Sequence, residues 1–481
     1  MKKIIFFIYI IIASQISAQE PEELKFYVDP VTSQVFTAYS EGRVLIKGIS
    51  FQYDSNATTE DKKTDEALKN ENIAKMLEKQ KSLEEFIKNQ KEKEKQALIK
   101  PKATKVFAVR GYLQTTYGQI TTDNPKDFSL WTDPAISQES SFILRRARLV
   151  LKEKVGDYLT IYSQPDLVSE GRNLFQMRDL YGDILINKNP THRIRVGQSK
   201  VPFGFENLQA SYQRFTLDRS DAISSSQKNK RDIGVYYYYT PDNVRELYKE
   251  LSSLRLRASG EYGTFGIGVY NGQGTNNPQR NGNIHKAIKF SYPFKIGDTQ
   301  IFEAGIYGFK GLFTPNTISD AVKPELFYGE DEAFKDERVG ISFVMFPQPF
   351  GIQGEWNIGT TPGLNRATKK IENKDLNGGY LQFMYKFHNV LKQNDSITPI
   401  VRWQYFDGYS KSELNLPQNK VNEWMMGVEW YMAAEIRFQL EYQFINRYDL
   451  MKEIAVDESG NFMNQERFTG QALRGQVQFN F

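Results

Sequence analysis

Hydrophobic and polar side chains alternate without a break at the carboxyl end of the chain. From Leu473 to Phe481 the odd positions are hydrophobic or glycine, and the even positions carry the polar side chains Arg474, Gln476, Gln478 and Asn480. The side chains of a β-strand point alternately to its two faces, so this segment has one apolar and one polar face. A chain that ends in this way on a phenylalanine is typical of the closing strand of an outer-membrane barrel, in which the apolar face meets lipid and the polar face lines a lumen.

The same alternation recurs from about Thr104 to the C-terminus. In residues 435–445 the even positions are the hydrophobic residues Ile436, Phe438, Leu440, Tyr442 and Phe444. A Lys or Arg side chain at the lipid midplane costs roughly 2–4 kcal/mol. The charged face is therefore assigned to the lumen, and residues 104–481 are predicted to form an all-β, antiparallel transmembrane barrel.

The connections alternate between tight turns and long polar segments, which is the asymmetry of a bacterial barrel. The long segments lie near 118–140, 167–177, 201–231, 272–285, 311–337, 359–377, 408–422 and 446–471. Eight long loops predict sixteen strands. The strand-like runs number seventeen, and we place the surplus between Tyr236 and Asn271. There, 241–251 and 260–263 both resemble turns, and one of them is predicted to be a bulge or insertion within a strand.

Three regions precede the predicted barrel. Residues 1–18 have the lysines, the short apolar stretch and the small-residue cleavage site of a signal peptide. Residues 19–53 are predicted to be a small periplasmic β-hairpin segment. Residues 54–100 are charged and helix-forming, and two interpretations stay open: a solvated single helix or a short coiled coil that joins subunits.

The composition gives no sign of disulfide bonds, of an enzyme or metal site, or of nucleic-acid binding. There is no cysteine among the 481 residues, so an exported chain of this length would hold its fold without disulfides. Three dispersed histidines and the lack of a catalytic or nucleotide-binding motif predict no enzyme, no cofactor and no metal site. The net charge of +4 gives no reason to expect binding to nucleic acid.

Positively charged side chains are predicted to line the lumen. Sixteen strands enclose a water-filled pore, and strand parity turns Arg146 and Arg148 inward but leaves Arg145 near the rim. Arg and Lys lower the barrier for anions, and Arg matches phosphate oxygens in a bidentate manner. The candidate residues for an anion path are Arg145, Arg146, Arg148, Lys152, Arg193, Arg195, Lys200, Arg214, Arg219, Lys228, Lys230 and Arg231.

Alternatives remain for these residues. Several glutamates, such as Glu355 and Glu441, share the inward parity, so the arginines could pair with them and only keep the lumen wet. Arg255 and Arg257 are also predicted to face inward from a strand. The polar segment 201–231, the third long loop, is a candidate for folding into the barrel as a constriction; the alternative is an ordinary external loop.

Four motifs resemble the phosphate-selective porin O and P family. They are FILRRARL at 142–149, RVGQSKVPFGF at 195–205, RDIGV at 231–235 and Tyr270-Asn271-Gly272. The chain is similar to Bacteroidetes-type members with an N-terminal coiled coil. The resemblance implies a homotrimer of sixteen-stranded barrels with an inward-folded loop and an arginine-lined path. The residues that match the family's Arg-Arg-Ala-Arg run are Arg145, Arg146 and Arg148, and Lys200 matches the lysine of V-G-Q-x-K-x-P-F-G.

We therefore expect an outer-membrane porin for passive diffusion of small solutes, moderately anion-selective and suited to phosphate or polyphosphate, with its N-terminal extension in the periplasm. The expected partners are outer-membrane lipid, small anions such as phosphate, and the barrel-assembly machinery, which would bind the C-terminal Phe481. One alternative is a general, non-selective porin. Another is a structural barrel that the coiled coil tethers to the cell wall.

Overall fold

The computed structural model describes residues 27–28, 35–36, 44–45, 106–122, 135–136, 140–169, 175–226, 231–297, 299–315, 333–448 and 467–481. The chain divides into two compact units, Met1–Lys100 and Pro101–Phe481. The predicted signal peptide and the predicted helical segment 54–100 lie outside the described residues. No helix in the described ranges is long and apolar enough to cross a membrane.

The described part of the first unit is a small antiparallel sheet. Its strands are Tyr27–Val28, Val35–Phe36 and Val44–Leu45, with Tyr27–Val28 in the centre. The three strands fall inside the region 19–53, for which the sequence predicted a hairpin segment.

The second unit is a closed barrel of sixteen antiparallel strands in which each strand pairs with its neighbours in the chain and the last pairs with the first. This confirms the predicted fold class. The strands are β1 Val106–Ile120, β2 Ser141–Val155, β3 Leu159–Ser169, β4 Gln176–Leu185, β5 His192–Lys200, β6 Arg231–Tyr239, β7 Phe265–Tyr270, β8 His285–Ile296, β9 Gln300–Phe313, β10 Phe334–Met345, β11 Phe350–Asn365, β12 Lys370–Tyr385, β13 Ser396–Tyr409, β14 Gln418–Tyr431, β15 Ile436–Tyr448 and β16 Arg467–Asn480. A two-residue piece, Phe387–His388, extends β12.

The side chains follow the predicted parity in most strands. In β15, Arg437, Glu441 and Arg447 are buried on the lumen side, whereas Leu440 and Phe444 are exposed on the outer face. An outer face of exposed hydrophobic side chains is stable in lipid, and a buried polar face requires the internal hydrogen bonds that the lumen provides.

A bulge in β2 makes one parity prediction wrong. Gln114 of β1 pairs with Arg146 while Thr115 pairs with Leu144, so Arg145 is an extra residue in its strand. The extra residue lets Arg145 and Arg146 both point into the lumen, and Arg145 is buried rather than near the rim.

The connections divide the barrel into two ends. At the end that carries Val106 and Phe481, here called the terminal end, the turns after β2, β4, β8, β10 and β14 fall where the sequence predicted tight turns. At the opposite end, here called the loop end, the predicted long segment 359–377 is wrong. Its residues mostly belong to β11 and β12, and only 366–369 connect the two strands.

The surplus seventeenth strand is an insertion at the terminal end. Residues 240–264 join β6 to β7 and contain the helix Asp242–Ser253, with Arg255 and Arg257 following it. The predicted strand through Arg255 and Arg257 is therefore wrong. Apolar residues of this helix at helical spacing pack against inward-facing side chains of the barrel, in a cluster that contains Val244, Tyr248, Leu251, Leu256, Ile301, Val344 and Phe346.

Candidate functional site

The segment after β5 folds into the barrel. Residues 201–226, here called the inner loop, contain the short helices Phe205–Leu208 and Asp221–Ser224. The backbone N–H groups of Phe205 and Glu206 donate to the two carboxylate oxygens of Glu355 in β11, at 2.7 and 2.6 Å. One of the two interpretations of this segment, the constriction, therefore agrees with its position.

A second attachment joins the inner loop to β13. Arg402 donates to both carboxylate oxygens of Glu206, at 2.7 and 3.0 Å, and the backbone N–H of Ser220 donates to the same carboxylate at 2.9 Å. Burial alone would raise the pKa of Glu206, but the Arg402 guanidinium and the hydrogen bonds lower it below its ordinary value. The carboxylate is thus held ionised inside the barrel.

A third attachment is built around Asp218. Its carboxylate accepts hydrogen bonds from Arg145 at 3.1 Å and from Arg474 at 2.9 Å, and Arg146 lies 3.6 Å away. Burial would raise the pKa of Asp218, but these guanidiniums lower it well below its usual range. Arg145 and Arg146 therefore hold the inner loop against the wall.

The end of the inner loop is fixed to β10, β14 and β15. Arg447 contacts the carboxylates of Asp221 and Glu423, at 3.2 and 2.6 Å, and Arg338 donates to the carbonyl of Ala222 at 2.9 Å. The cavity left between the loop and β13–β16 is only about 40 Å³. The inner loop therefore packs closely against this side of the lumen.

A larger chamber lies on the opposite side of the inner loop, against β1–β6. Its volume is about 310 Å³. Cationic side chains outnumber carboxylates in its lining, which leaves a net positive field where a solute would pass. The cations are Arg110, Arg148, Lys152, Arg193, Arg195, Lys200 and Arg231, and the carboxylates are Asp179, Asp183 and Glu261.

Four of the chamber cations have carboxylate partners. The pairs are Arg148–Asp166 at 2.7 Å, Arg193–Glu261 at 2.8 Å, Arg195–Asp183 at 2.7 Å and Arg231–Asp179 at 2.8 Å. Lys200 instead donates to the carbonyls of Leu208 and Gln209, each at 2.8 Å. Arg110 and Lys152 make no ion pair with any described residue, so their charge is directed at the solvent of the chamber.

Tyrosine rings orient the guanidiniums of the chamber. The Arg195 guanidinium lies 3.6 Å from the ring centroid of Tyr181, which stacks on Tyr162 with centroids 4.9 Å apart. Arg110 lies 5.6 Å from the ring centroid of Tyr212 in the inner loop. Stacking leaves the N–H edge of a guanidinium available in its plane. Arg195 directs this edge at both carboxylate oxygens of Asp183, whereas Arg110 makes no ion pair with any described residue and can direct its edge at an oxyanion.

The structure separates the sequence-predicted candidates into three groups. Those that line the chamber are Arg148, Lys152, Arg193, Arg195, Lys200 and Arg231. Those that hold or belong to the inner loop are Arg145, Arg146, Arg214 and Arg219; the Arg219 guanidinium donates to loop carbonyls. Lys228 and Lys230 lie outside the described residues.

Sequence reasoning left Arg110 and the chamber carboxylates out of the candidates. The alternation of Asp179, Tyr181 and Asp183 in β4 was a usable signal, since residues at this spacing share one face of a strand. That face meets the inward face of β5, where Asp183 pairs in register with Arg195. The wall side chains that bind the inner loop, such as Glu355 and Arg402, are not marked by any comparable pattern of neighbouring residues.

Comparison with known proteins gives the following similarities. The outer membrane channel DcaP of Acinetobacter baumannii is 15% identical, with 80% of this chain and 99% of that chain covered and a TM-score of 0.46. OmpT of Vibrio cholerae is 12% identical, with 78% and 99% covered and a TM-score of 0.45. The anion-selective porin from Comamonas acidovorans is 10% identical, with 78% and 100% covered and a TM-score of 0.45.

No curated protein matches the sequence. The family model for phosphate-selective porin O and P matches residues 116–481, which is more than half of the chain and almost all of the barrel. The chain therefore belongs to the phosphate-selective porin O and P family.

Proposed function

We propose that the chain forms a water-filled channel in the outer membrane, through which small solutes diffuse passively and anions pass in preference to cations. The observation that carries this proposal is the positive lining of the chamber, in which Arg110 and Lys152 have no carboxylate partner among the described residues. Each such charge lowers the electrostatic barrier for an anion and raises it for a cation. No bond is made or broken in this process, so the protein acts as a channel and not as an enzyme.

Phosphate is the solute class that best suits the chamber. A phosphate ion offers several oxygens to guanidinium N–H groups, and Arg110, which lies against the ring of Tyr212, presents such groups together with the ammonium of Lys152. The family's description supports the same solute. Polyphosphate would use the same contacts repeatedly along the passage.

A general porin is the second candidate function. It is favoured by the ion pairs of Arg148, Arg193, Arg195 and Arg231, because a paired guanidinium contributes less field than a free one. In that case the chamber would pass neutral solutes and small anions alike.

The assembly belongs to the same proposal. We infer a homotrimer in which the terminal end faces the periplasm, so that the N-terminal unit extends there and Phe481 lies at the periplasmic rim. The trimer is supported by the family and by the trimer form in which OmpT of Vibrio cholerae is known. Light scattering of the detergent-solubilised protein tests it: a mass of three chains is expected, and a monomer contradicts it.

Uptake into proteoliposomes tests the function. Radiolabelled phosphate should enter vesicles that contain the full-length protein faster than glycerol does, and its rate should rise linearly with the gradient without any energy source. Phosphate entry that is slower than glycerol entry would favour the general porin. Entry no faster than into protein-free vesicles would overturn the channel.

A further inference from the structure

The insertion between β6 and β7, residues 240–264, crosses the terminal mouth of the barrel. Its helix, Asp242–Ser253, packs on the inner faces of β9 and β10 through the cluster that contains Leu251, Ile301 and Val344. The chain then leaves the helix and reaches β12–β14, which lie about half a turn of the barrel from β6. We call residues 254–262 the mouth segment.

Three contacts fix the mouth segment to the far wall. Lys386, at the end of β12, donates to the carbonyl of Leu254 at 2.9 Å. Arg255 donates to the carbonyl of Asn394 at 3.3 Å, and Arg257 donates to Glu429 of β14 at 2.8 Å. The mouth segment returns to the near wall at Glu261, which pairs with Arg193 of β5. The terminal mouth is thus spanned by ordered chain.

The backbone of the mouth segment adopts an unfavourable conformation at two arginines. Arg255 has φ 55° and Arg257 has φ 64°, in the left-handed region that non-glycine residues rarely occupy. Leu256 between them is only 2% exposed and belongs to the cluster below the helix. This conformation buries the leucine while both guanidiniums line the mouth, and such strain is concentrated at sites of function.

An aromatic ring orients the same two arginines. The guanidiniums of Arg255 and Arg257 lie 4.6 and 5.3 Å from the ring centroid of Tyr431. Arg257 is neutralised by Glu429, whereas Arg255 is exposed and makes no ion pair with any described residue. Arg255 therefore presents an oriented, uncompensated charge to the mouth.

These residues line a cavity of about 490 Å³ between the mouth segment and the walls of β1 and β14–β16. Its cations are Arg110, Arg245, Lys249, Arg255 and Arg257; Glu261 is the acidic side chain among its described lining residues, and Phe481, which carries the terminal carboxylate, also lines it. Because like charges held together repel, this arrangement is stabilised when an anion enters. The cavity shares Arg110 and Tyr212 with the chamber, so the two cavities are adjacent.

We propose that this cavity is a second anion-binding site, distinct from the chamber, which takes oxyanions of the phosphate class that carry more than one negative charge. Arg255 is its principal ligand, and Lys249 and Arg110 provide further positive charge. The inference rests on the proposed function in one respect, namely that the lumen conducts ions. It adds that the channel binds anions at the terminal mouth and therefore responds differently to them from its two sides.

The test is block of single-channel current by inorganic pyrophosphate added to one side of a planar bilayer at a time. For the full-length protein we expect half-block at a lower concentration from one side. The Arg255→Gln substitution should raise that concentration about tenfold from this side alone, the factor expected for one charged hydrogen bond. The Lys188→Gln variant is the matched control, because Lys188 is an exposed cation at the same end, outside the cavity.

Two further measurements keep the result unambiguous. Arg255→Gly removes the charge but accepts the positive φ, so it reports on the site even if the glutamine variant folds poorly. The reversal potential in a salt gradient, taken on the same bilayers, reports the anion preference separately. Anion-selective current whose block is indifferent to Arg255 overturns the second site and leaves the proposed function standing. One-sided, Arg255-dependent block of a non-selective current supports the second site while the anion preference fails.

Discussion

Arg145, Arg146 and Arg148 are neighbours in the chain, yet their surroundings differ. The first two contact Asp218 of the inner loop, whereas Arg148 pairs with Asp166 and lines the chamber. The arginine run predicted a cationic cluster in the lumen, and all three side chains do point inward. The bulge that turns Arg145 inward cannot be recognised from a single sequence, because hydrophobic and polar residues still alternate on both sides of it.

Lys152 is the residue whose charge should act most directly on permeant ions. It lines the chamber without an ion pair among the described residues. Removal of one charge about 6 Å from an ion in water changes the barrier by about 0.7 kcal/mol, or about threefold in permeability. The substitution raises the anion barrier and lowers the cation barrier by this amount, so Lys152→Gln should lower the anion-to-cation permeability ratio about tenfold, as measured from reversal potentials. An unchanged ratio, equal to that of Lys188→Gln, would remove Lys152 from the path.

Asp218 and Glu206 should make the attachment of the inner loop weaker at low pH. Both carboxylates have a pKa below the ordinary value of about 4, so their contribution to stability is complete well above that value and is lost as the pH falls through the lowered pKa. Single channels should be quiet at pH 6 and become progressively noisier as the pH is lowered below about 4. Asp218→Asn should show the same noise at pH 6, and a quiet Asp218→Asn channel would contradict this role.

At the scale of elements, the alternation of side chains predicted the strands, but it did not predict the inserted helix Asp242–Ser253. Val244, Leu247, Tyr248 and Leu251 have the spacing of one helical face, which distinguishes them from a strand. The pattern of the neighbouring strands gave no reason to expect a helix there, since tight turns are the rule at that end of a barrel. The short β7, only Phe265–Tyr270, is likewise harder to recognise than the longer strands.

The wall formed by β6 and β7 depends on two glycines. Gly266 and Gly268 face inward beneath the rings of Tyr238 and Tyr236, and a Cβ atom at Gly268 would overlap the Tyr236 ring. Gly268→Ala should displace this ring and cost about 1–3 kcal/mol, as overpacking does. Gly475→Ala is the matched control, because the nearest atoms to its Cβ are 3.9 Å away. Heat-dependent unfolding followed on gels should show a lower transition for Gly268→Ala alone, and equal transitions would contradict the packing argument.

The inner loop depends on Glu355 for its first attachment. Loss of the carboxylate removes two charged hydrogen bonds to Phe205 and Glu206, each worth about 1.5–3 kcal/mol. Glu355→Ala should leave the barrel folded while protease cleaves within 201–226 more rapidly. Glu372→Ala, near the start of β12 beside its hairpin with β11, is the control. Equal cleavage of the two variants would show that the other attachments are sufficient.

At the scale of the whole molecule, the lumen is divided unequally. The inner loop packs closely against β13–β16, and the chamber and the mouth cavity, which share lining residues, form a basic region on the other side. The sequence could predict the barrel, because its pattern is local. It could not predict the division, because the contacts that produce it join residues as distant as Glu206 and Arg402, which are 196 positions apart.

The chamber and the mouth cavity share one electrical property, a positively charged lining. Along both cavities the unpaired side chains are positive, so the barrier should be lower for an anion than for a cation of equal size.

The reversal potential of the full-length protein in a potassium chloride gradient tests this most directly. We predict a sign that corresponds to chloride as the more permeant ion, and a current that added phosphate reduces. A reversal potential of the opposite sign, with potassium as the more permeant ion, would contradict the account.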